Sequence, residues 1–176
     1  MMVKLRRTPG VFLVGFMGSG KTTVGHLLAA ELGWQFADLD ADIEARENEK
    51  ITEIFAQRGE PEFRRLEHEC LAERTSEVRS VKPMVLALGG GAFVEERNRE
   101  LIGSAGISVW LDCPFELLDR RVAGFEHRPL AKDPVAFRRL FEERQRVYAL
   151  SDYRVAVTSD DPEVTVRAIL DLPGVF

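Results

Sequence analysis

Apolar positions along the chain fall into two recurring patterns. Five short runs, VFLVG (11–15), QFADLD (35–40), MVLALG (84–89), ISVWLD (107–112) and YRVAVT (153–158), have strand length and are rich in Val, Leu, Ile or aromatic residues. The segments between them carry helical spacing. KTTVGHLLAAELG (21–33) closes on Gly33, a C-cap residue, and PFELLDRRVAG (114–124) places Pro114 in a first turn. Strands alternating with helices predict βαβ crossovers and a parallel sheet covered on both faces, hence a three-layer α/β fold. No repeat, low-complexity tract or linker divides the pattern, so a single domain over 1–176 is expected. Two regions break the alternation. Residues 41–80 hold more than one helix between the second and third strands, and 124–133 (GFEHRPLAKD) reads as an exposed loop. Ligands of parallel sheets collect beyond the carboxyl ends of the strands, where both breaks are expected.

Composition narrows the function classes. A hydrophobic fraction of 45% and a charged fraction of 30% are those of an ordinary soluble globular protein, and a net charge of −5 argues against general nucleic-acid binding. The stretch 120–146 runs the other way, with eight Arg or Lys against four Asp or Glu, which suits either a solvated helix face or a site for anions. Cys70 and Cys113 form no C-x-x-C, so neither a disulfide framework nor a zinc site is expected, and a reducing compartment is. The basic start MMVKLRRTPG leads into an apolar run too short to span a membrane, and no cleavable signal is evident. The expected location is the cytoplasm. His26, His68 and His127 lack partners at metal-ligand spacing.

GFMGSGKTT (15–23) fits G-x-x-x-x-G-K-[ST] between a predicted strand and a predicted helix. Glycines let backbone N–H groups turn toward phosphate oxygens at a helix N-terminus. Lys21 would reach the β and γ phosphates, and Thr22 would offer a hydroxyl to Mg²⁺. Asp38 and Asp40, two apart at the end of the second predicted strand, are expected to project together. One would help hold hydrated Mg²⁺ while the other accepts a proton from an attacking hydroxyl, or Asp40 caps the following helix. In the helix of VAFRRLFEERQRVYAL, Arg144 lies in line with the apolar stripe of Phe137, Leu140, Phe141, Val147 and Tyr148; Arg64 borders the stripe of EPEFRRLEHECLAE. An arginine on an inward stripe requires an anion, either a protein carboxylate or a substrate carboxylate held by a bidentate clamp. Arg128 sits in the loop, which suits either closure over transferring phosphate or an ordinary surface arginine. Gly89, Gly90 and Gly91 end the third predicted strand; a turn into a helix near Val94 explains one glycine better than three.

In this order and spacing, GFMGSGKTT, FADLDADIE, IFAQRGEPEFRRLE, LALGGGAF, RPL and ERQRVYALSDYRV resemble the shikimate kinase family from about residue 11 to 157. The resemblance implies ATP-dependent phosphorylation of the 3-hydroxyl of shikimate, with ATP and Mg²⁺ required. It further implies a P-loop kinase fold of sheet order 2-3-1-4-5, with a substrate-binding helical region at about 41–80 and a lid at about 124–133. By resemblance, Gly18, Ser19, Gly20, Lys21, Thr22 and Thr23 would bind the ATP phosphates, Thr22 and Asp38 would support Mg²⁺, and Arg121 would pack near adenine. Asp40 would meet the reacting hydroxyl, with Lys21, Asp40 and Arg128 forming the catalytic set. Arg64 and Arg144 would bind the shikimate carboxylate, Gly89–Gly91 its hydroxyls, and Phe55 and Phe63 would wall the ring. RPLA stands where family members often carry RPLL, which touches lid packing. The expected partner is a small molecule, with no nucleic acid or membrane, acting on a monomer. Kinases of gluconate, of an amino analogue of shikimate or of nucleoside monophosphates, and a regulatory domain without catalysis, are the competing readings.

Overall fold

The computed structural model describes residues 9–80, 82–123 and 133–176. Five strands form one all-parallel sheet in the order β2-β3-β1-β4-β5: β1 (Gly10–Val14), β2 (Gln35–Asp38), β3 (Met84–Ala87), β4 (Ile107–Asp112) and β5 (Tyr153–Ala156). The central strand reads GVFLV and is buried throughout, because helices cover both faces of a parallel sheet and leave no solvated side for polar alternation. The sheet order agrees with the one the resemblance implies.

The connecting helices are α1 (Lys21–Leu32), α2 (Leu39–Glu47), α3 (Ile51–Arg58), α4 (Glu60–Arg79), α5 (Glu96–Ala105), α6 (Phe115–Val122), α7 (Pro134–Tyr148) and α8 (Pro162–Leu170). Gly33 closes α1 at φ 65°, donating its N–H back into the last turn, as its position after the apolar pattern predicted. The region expected to hold more than one helix holds α2, α3 and α4. Arg74 of α4 grips Asp42 of α2 through two hydrogen bonds of 2.7 Å.

Strand ends depart from the apolar runs. β2 stops at Asp38, and Leu39 and Asp40 belong to α2, so the two aspartates do not project from one strand. Asp38 instead caps α2, accepting the N–H of Asp40 at 3.0 Å and of Ala41 at 3.3 Å. Capping falls to Asp38, not to Asp40, because the cap is the last non-helical residue and its side chain reaches the N–H groups two and three positions on. Beyond β3 the helix expected near Val94 is preceded by a 3-10 turn, Ala92–Val94, and α5 begins at Glu96.

Candidate active site

Functional side chains gather where the strands end. After β1 the chain turns through Gly15–Gly20 into α1. Gly18 (φ 82°) and Gly20 (φ 94°) occupy left-handed backbone that a Cβ would strain, which is why the loop requires glycine at these positions. Lys21 Nζ donates to the carbonyls of Gly15 (2.7 Å) and Phe16 (3.1 Å), across the loop from its own helix start. Thr22 Oγ1 donates to Asp38 Oδ2 at 2.8 Å, so the two groups expected to share a metal already touch. Ser19 is buried, and its hydroxyl has no hydrogen-bond partner among the described residues.

Two clefts flank this loop. One, of about 450 Å³, lies on the β4–β5 side and is lined by Gly18, Ser19, Gly20, Thr23, Arg121 and the segment from Val157 to Thr165. Arg121 crosses it, donating to the Gly18 carbonyl at 3.0 Å and pairing with Asp160 at 2.9 Å. The other, of about 260 Å³, lies on the β2–β3 side. Its walls bring together Asp40, Phe55, Phe63, Arg64, Gly89, Gly90, Gly91 and Arg144, residues spread over more than a hundred positions of sequence. Phe55 and Phe63 pack ring to ring at 4.5 Å.

The second cleft is electrostatically uneven. Burial, reinforced by the neighbouring Asp38 charge, pushes the Asp40 carboxyl up to about 6. Arg64 pairs with Glu67 at 2.8 Å and Glu60 at 3.3 Å, so the protein-carboxylate reading of this arginine holds in part. Arg144 is different: among the described residues it makes no hydrogen bond or ion pair, yet it faces the cleft. Glu67 is 1% exposed; one oxygen receives Arg64, the other has no hydrogen-bond partner among the described residues. Burial raises this carboxyl to about 7.

Sequence reasoning missed Glu67 and Tyr148. Glu67 was legible as a carboxylate three positions after Arg64 on one helix, the spacing at which such pairs meet. Tyr148 read as one more member of an apolar stripe; only the fold shows its hydroxyl donating to the Gly90 carbonyl at 2.6 Å. Arg128 and the expected lid, apart from Asp133 at its end, lie outside the described residues, as does His127. His68 Nδ1 bonds Asn98 Oδ1 at 2.7 Å and His26 packs against Phe36, which suits their reading as ordinary side chains.

A phosphate loop beside a carboxylate-and-arginine cleft points to a small-molecule kinase, and relatives decide which. The shikimate kinase family model matches residues 17–172. The chain belongs to the shikimate kinase family. A shikimate kinase of Caulobacter vibrioides is 45% identical over 168 residues, covering 93% of this chain and 82% of that protein. One from Paramagnetospirillum magneticum is 44% identical, covering 92% and 82%. Among solved structures, a shikimate kinase from Acinetobacter baumannii in complex with shikimate superposes with a TM-score of 0.84 at 37% identity, covering 93% of this chain and 91% of that one. A gluconokinase from Sinorhizobium meliloti reaches a TM-score of 0.57 at 21% identity, a likeness of fold alone. Membership in the family favours the shikimate kinase reading over the gluconate and nucleoside monophosphate kinases among the competing ones.

Proposed function

We infer that this kinase transfers the γ-phosphoryl group of ATP to the 3-hydroxyl of shikimate, giving shikimate 3-phosphate and ADP. The observation that carries the reading is the β2–β3 cleft, in which Arg144, with no hydrogen bond or ion pair among the described residues, lines the same walls as Arg64 and the buried carboxyl of Asp40. A carboxylate gripped by two arginines at one end of a ring leaves its hydroxyls toward Asp40 and the glycine turn. Phe55 and Phe63 supply the apolar wall. Arg64, already held by Glu67, reaches the clamp pre-aimed, so less ordering is left for binding.

The chain's own residues then divide the work. Backbone N–H groups of the loop and Lys21 bind the triphosphate, while Arg121 and Thr23 line the neighbouring cleft as the nucleoside side. Asp40 accepts a hydrogen bond from the 3-hydroxyl, aims its oxygen at the γ-phosphorus and takes its proton as the new P–O bond forms and the bond to ADP breaks. A carboxyl at about 6 is largely ionised at neutral pH and far more basic than an ordinary aspartate, which suits this task. Thr22 and Asp38 offer hydroxyl and carboxylate oxygens, the hard donors that Mg²⁺ prefers, and no cluster of three or more metal-binding side chains occurs among the described residues. Such a site suits an ion held by phosphates and water besides these two side chains, where it would neutralise developing phosphate charge. For Arg128 the catalytic role rests on the resemblance alone.

The enzyme is read as one P-loop kinase domain acting as a monomer on a small molecule, without nucleic acid or membrane. No described helix is long and apolar enough to cross a membrane. Cys70 and Cys113 are buried free thiols, which supports the reading of a reducing cytoplasm. A coupled assay of ADP release with shikimate, gluconate and nucleoside monophosphates tests the function. Turnover with shikimate alone is expected; preference for another acceptor would sink the reading.

A further inference from the structure

Each glycine of the turn after β3 stands against a different side chain. A Cβ at Gly89 would meet Asp40 Oδ1 at 2.5 Å, one at Gly91 would run into the Arg64 guanidinium, and one at Gly90 would meet the Tyr148 hydroxyl at 3.6 Å. Asp40 and Arg64 have places in the reaction above, and Tyr148 has none. It is 1% exposed, packs near Trp110 with ring centroids 6.2 Å apart, and donates its hydroxyl to the Gly90 carbonyl at 2.6 Å. Burial pushes the phenol well above its usual range, so it remains a hydrogen-bond donor at every working pH.

We propose that Tyr148 is a positioning residue for shikimate: by holding the Gly90 carbonyl it fixes the Gly90–Gly91 peptide relative to Arg144. Consecutive glycines have no side chains to restrict their backbone, so the orientation of that peptide must be imposed from outside. A trans peptide points its C=O and N–H in opposite directions. With the Gly90 oxygen held by Tyr148, the Gly91 N–H is turned away from it, and among the described residues this N–H has no hydrogen-bond partner. Tyr148 lies four residues beyond Arg144 on α7 and shares its face of the helix. The single hydroxyl therefore ties the glycine turn to the helix that carries Arg144 of the clamp. A merely structural tyrosine would affect folding, whereas this one sets the distance between two groups that grip the same substrate.

The inference rests on the assignment of the cleft to shikimate, and the experiment keeps the two apart. Tyr148→Phe retains the ring and removes only the hydroxyl. Steady-state kinetics with each substrate varied, together with calorimetric Kd values for shikimate and ATP, are compared for wild type, Tyr148→Phe, Arg144→Ala and the double variant. Losing one hydrogen bond to a buried carbonyl is expected to raise the shikimate KM and Kd roughly tenfold, with both ATP constants within about twofold of wild type. The double variant should lose less than the product of the single losses, because both residues act on one bound geometry. If Arg144→Ala raises the shikimate KM and Tyr148→Phe does not, the positioning role is overturned and the cleft assignment stands. If neither does, the cleft assignment itself is wrong. An equal rise in both KM values marks general loosening and also overturns the role. Should Tyr148→Phe fail to fold, amide exchange in the wild-type chain decides: Gly91 should gain protection with shikimate and not with ATP, and no gain overturns the proposal.

Discussion

Arg64 and Arg144 show how two identical side chains on one cleft acquire different energetics. Arg64 is ion-paired with Glu67, whereas Arg144 feels the Glu67 charge at longer range and makes no hydrogen bond or ion pair among the described residues. Arg144→Ala is therefore expected to leave thermal stability within about 0.5 kcal/mol of wild type. It should still weaken shikimate binding by about 1.5–3 kcal/mol, roughly 10- to 150-fold, as measured by calorimetry. Arg64→Ala should weaken shikimate similarly but also destabilise the fold, because it leaves a buried carboxyl alone. Without Arg64 the Glu67 pKa, already raised by burial to about 7, rises further. A raised carboxyl favours the fold while protonated, so the destabilisation should be small in acid and grow as pH climbs through 7. Denaturant titrations from pH 5 to 9 read this slope. Asp40 follows the same sign: its protonated form stabilises the fold fully below about pH 4, a contribution lost as pH rises through about 6. The proposed mechanism needs the opposite, ionised form, so kcat/KM for shikimate should fall on the acid side between about pH 6 and 7, where Asp40 and Glu67 titrate as interacting groups. Asp40→Asn should lower kcat about 10²-fold or more, with folding retained. Turnover near wild type would remove Asp40 from the mechanism.

At the scale of elements, the junction of β2 and α2 concentrates three contacts on one residue. Asp38 ends the strand, caps the helix and accepts the Thr22 hydroxyl. Its two roles can be separated. Asp38→Asn keeps an oxygen for capping but loses the charge, so it should fold normally and need a higher Mg²⁺ concentration for half-maximal activity. Asp38→Ala loses the cap as well, at a cost of about 0.5–2 kcal/mol of stability. Equal metal dependence in wild type and Asp38→Asn would dissociate this carboxylate from the ion. The α2 start was misjudged from sequence because an apolar Leu39 between two aspartates fits a strand end and a first helical turn equally well. Nothing in a period-2 reading registers that a cap has been placed. The apolar stripe of α7 is legible in the sequence but the contact of Tyr148 is not, since a period identifies the buried face of a helix and not what a buried hydroxyl touches.

Across the whole molecule, the sheet order separates two clefts: β2 and β3 lie on one side of β1 and β4 and β5 on the other, with the phosphate loop at the end of β1 between them. In the proposed reading the first cleft takes the acceptor, the second takes the nucleoside, and the two substrates meet at the loop. Binding of shikimate should then stabilise the protein without nucleotide. At a hundred times Kd the linkage is about 2.7 kcal/mol, which for a domain of this size raises Tm by about 5–11 °C. Gluconate at the same concentration should leave Tm nearly unchanged, and a matching shift would count against shikimate selectivity. The βαβ alternation, the phosphate loop and the residue types of both clefts are legible in the amino-acid sequence, because these depend on local periodicity and on short motifs whose parts are neighbours in the chain. Folding alone shows that Glu67 holds Arg64 while Arg144 makes no hydrogen bond or ion pair among the described residues, that Asp38 caps a helix, and that Gly90 is held by Tyr148. Those are contacts between separate turns and elements, and they exist only once burial has fixed which side chains share the space between them.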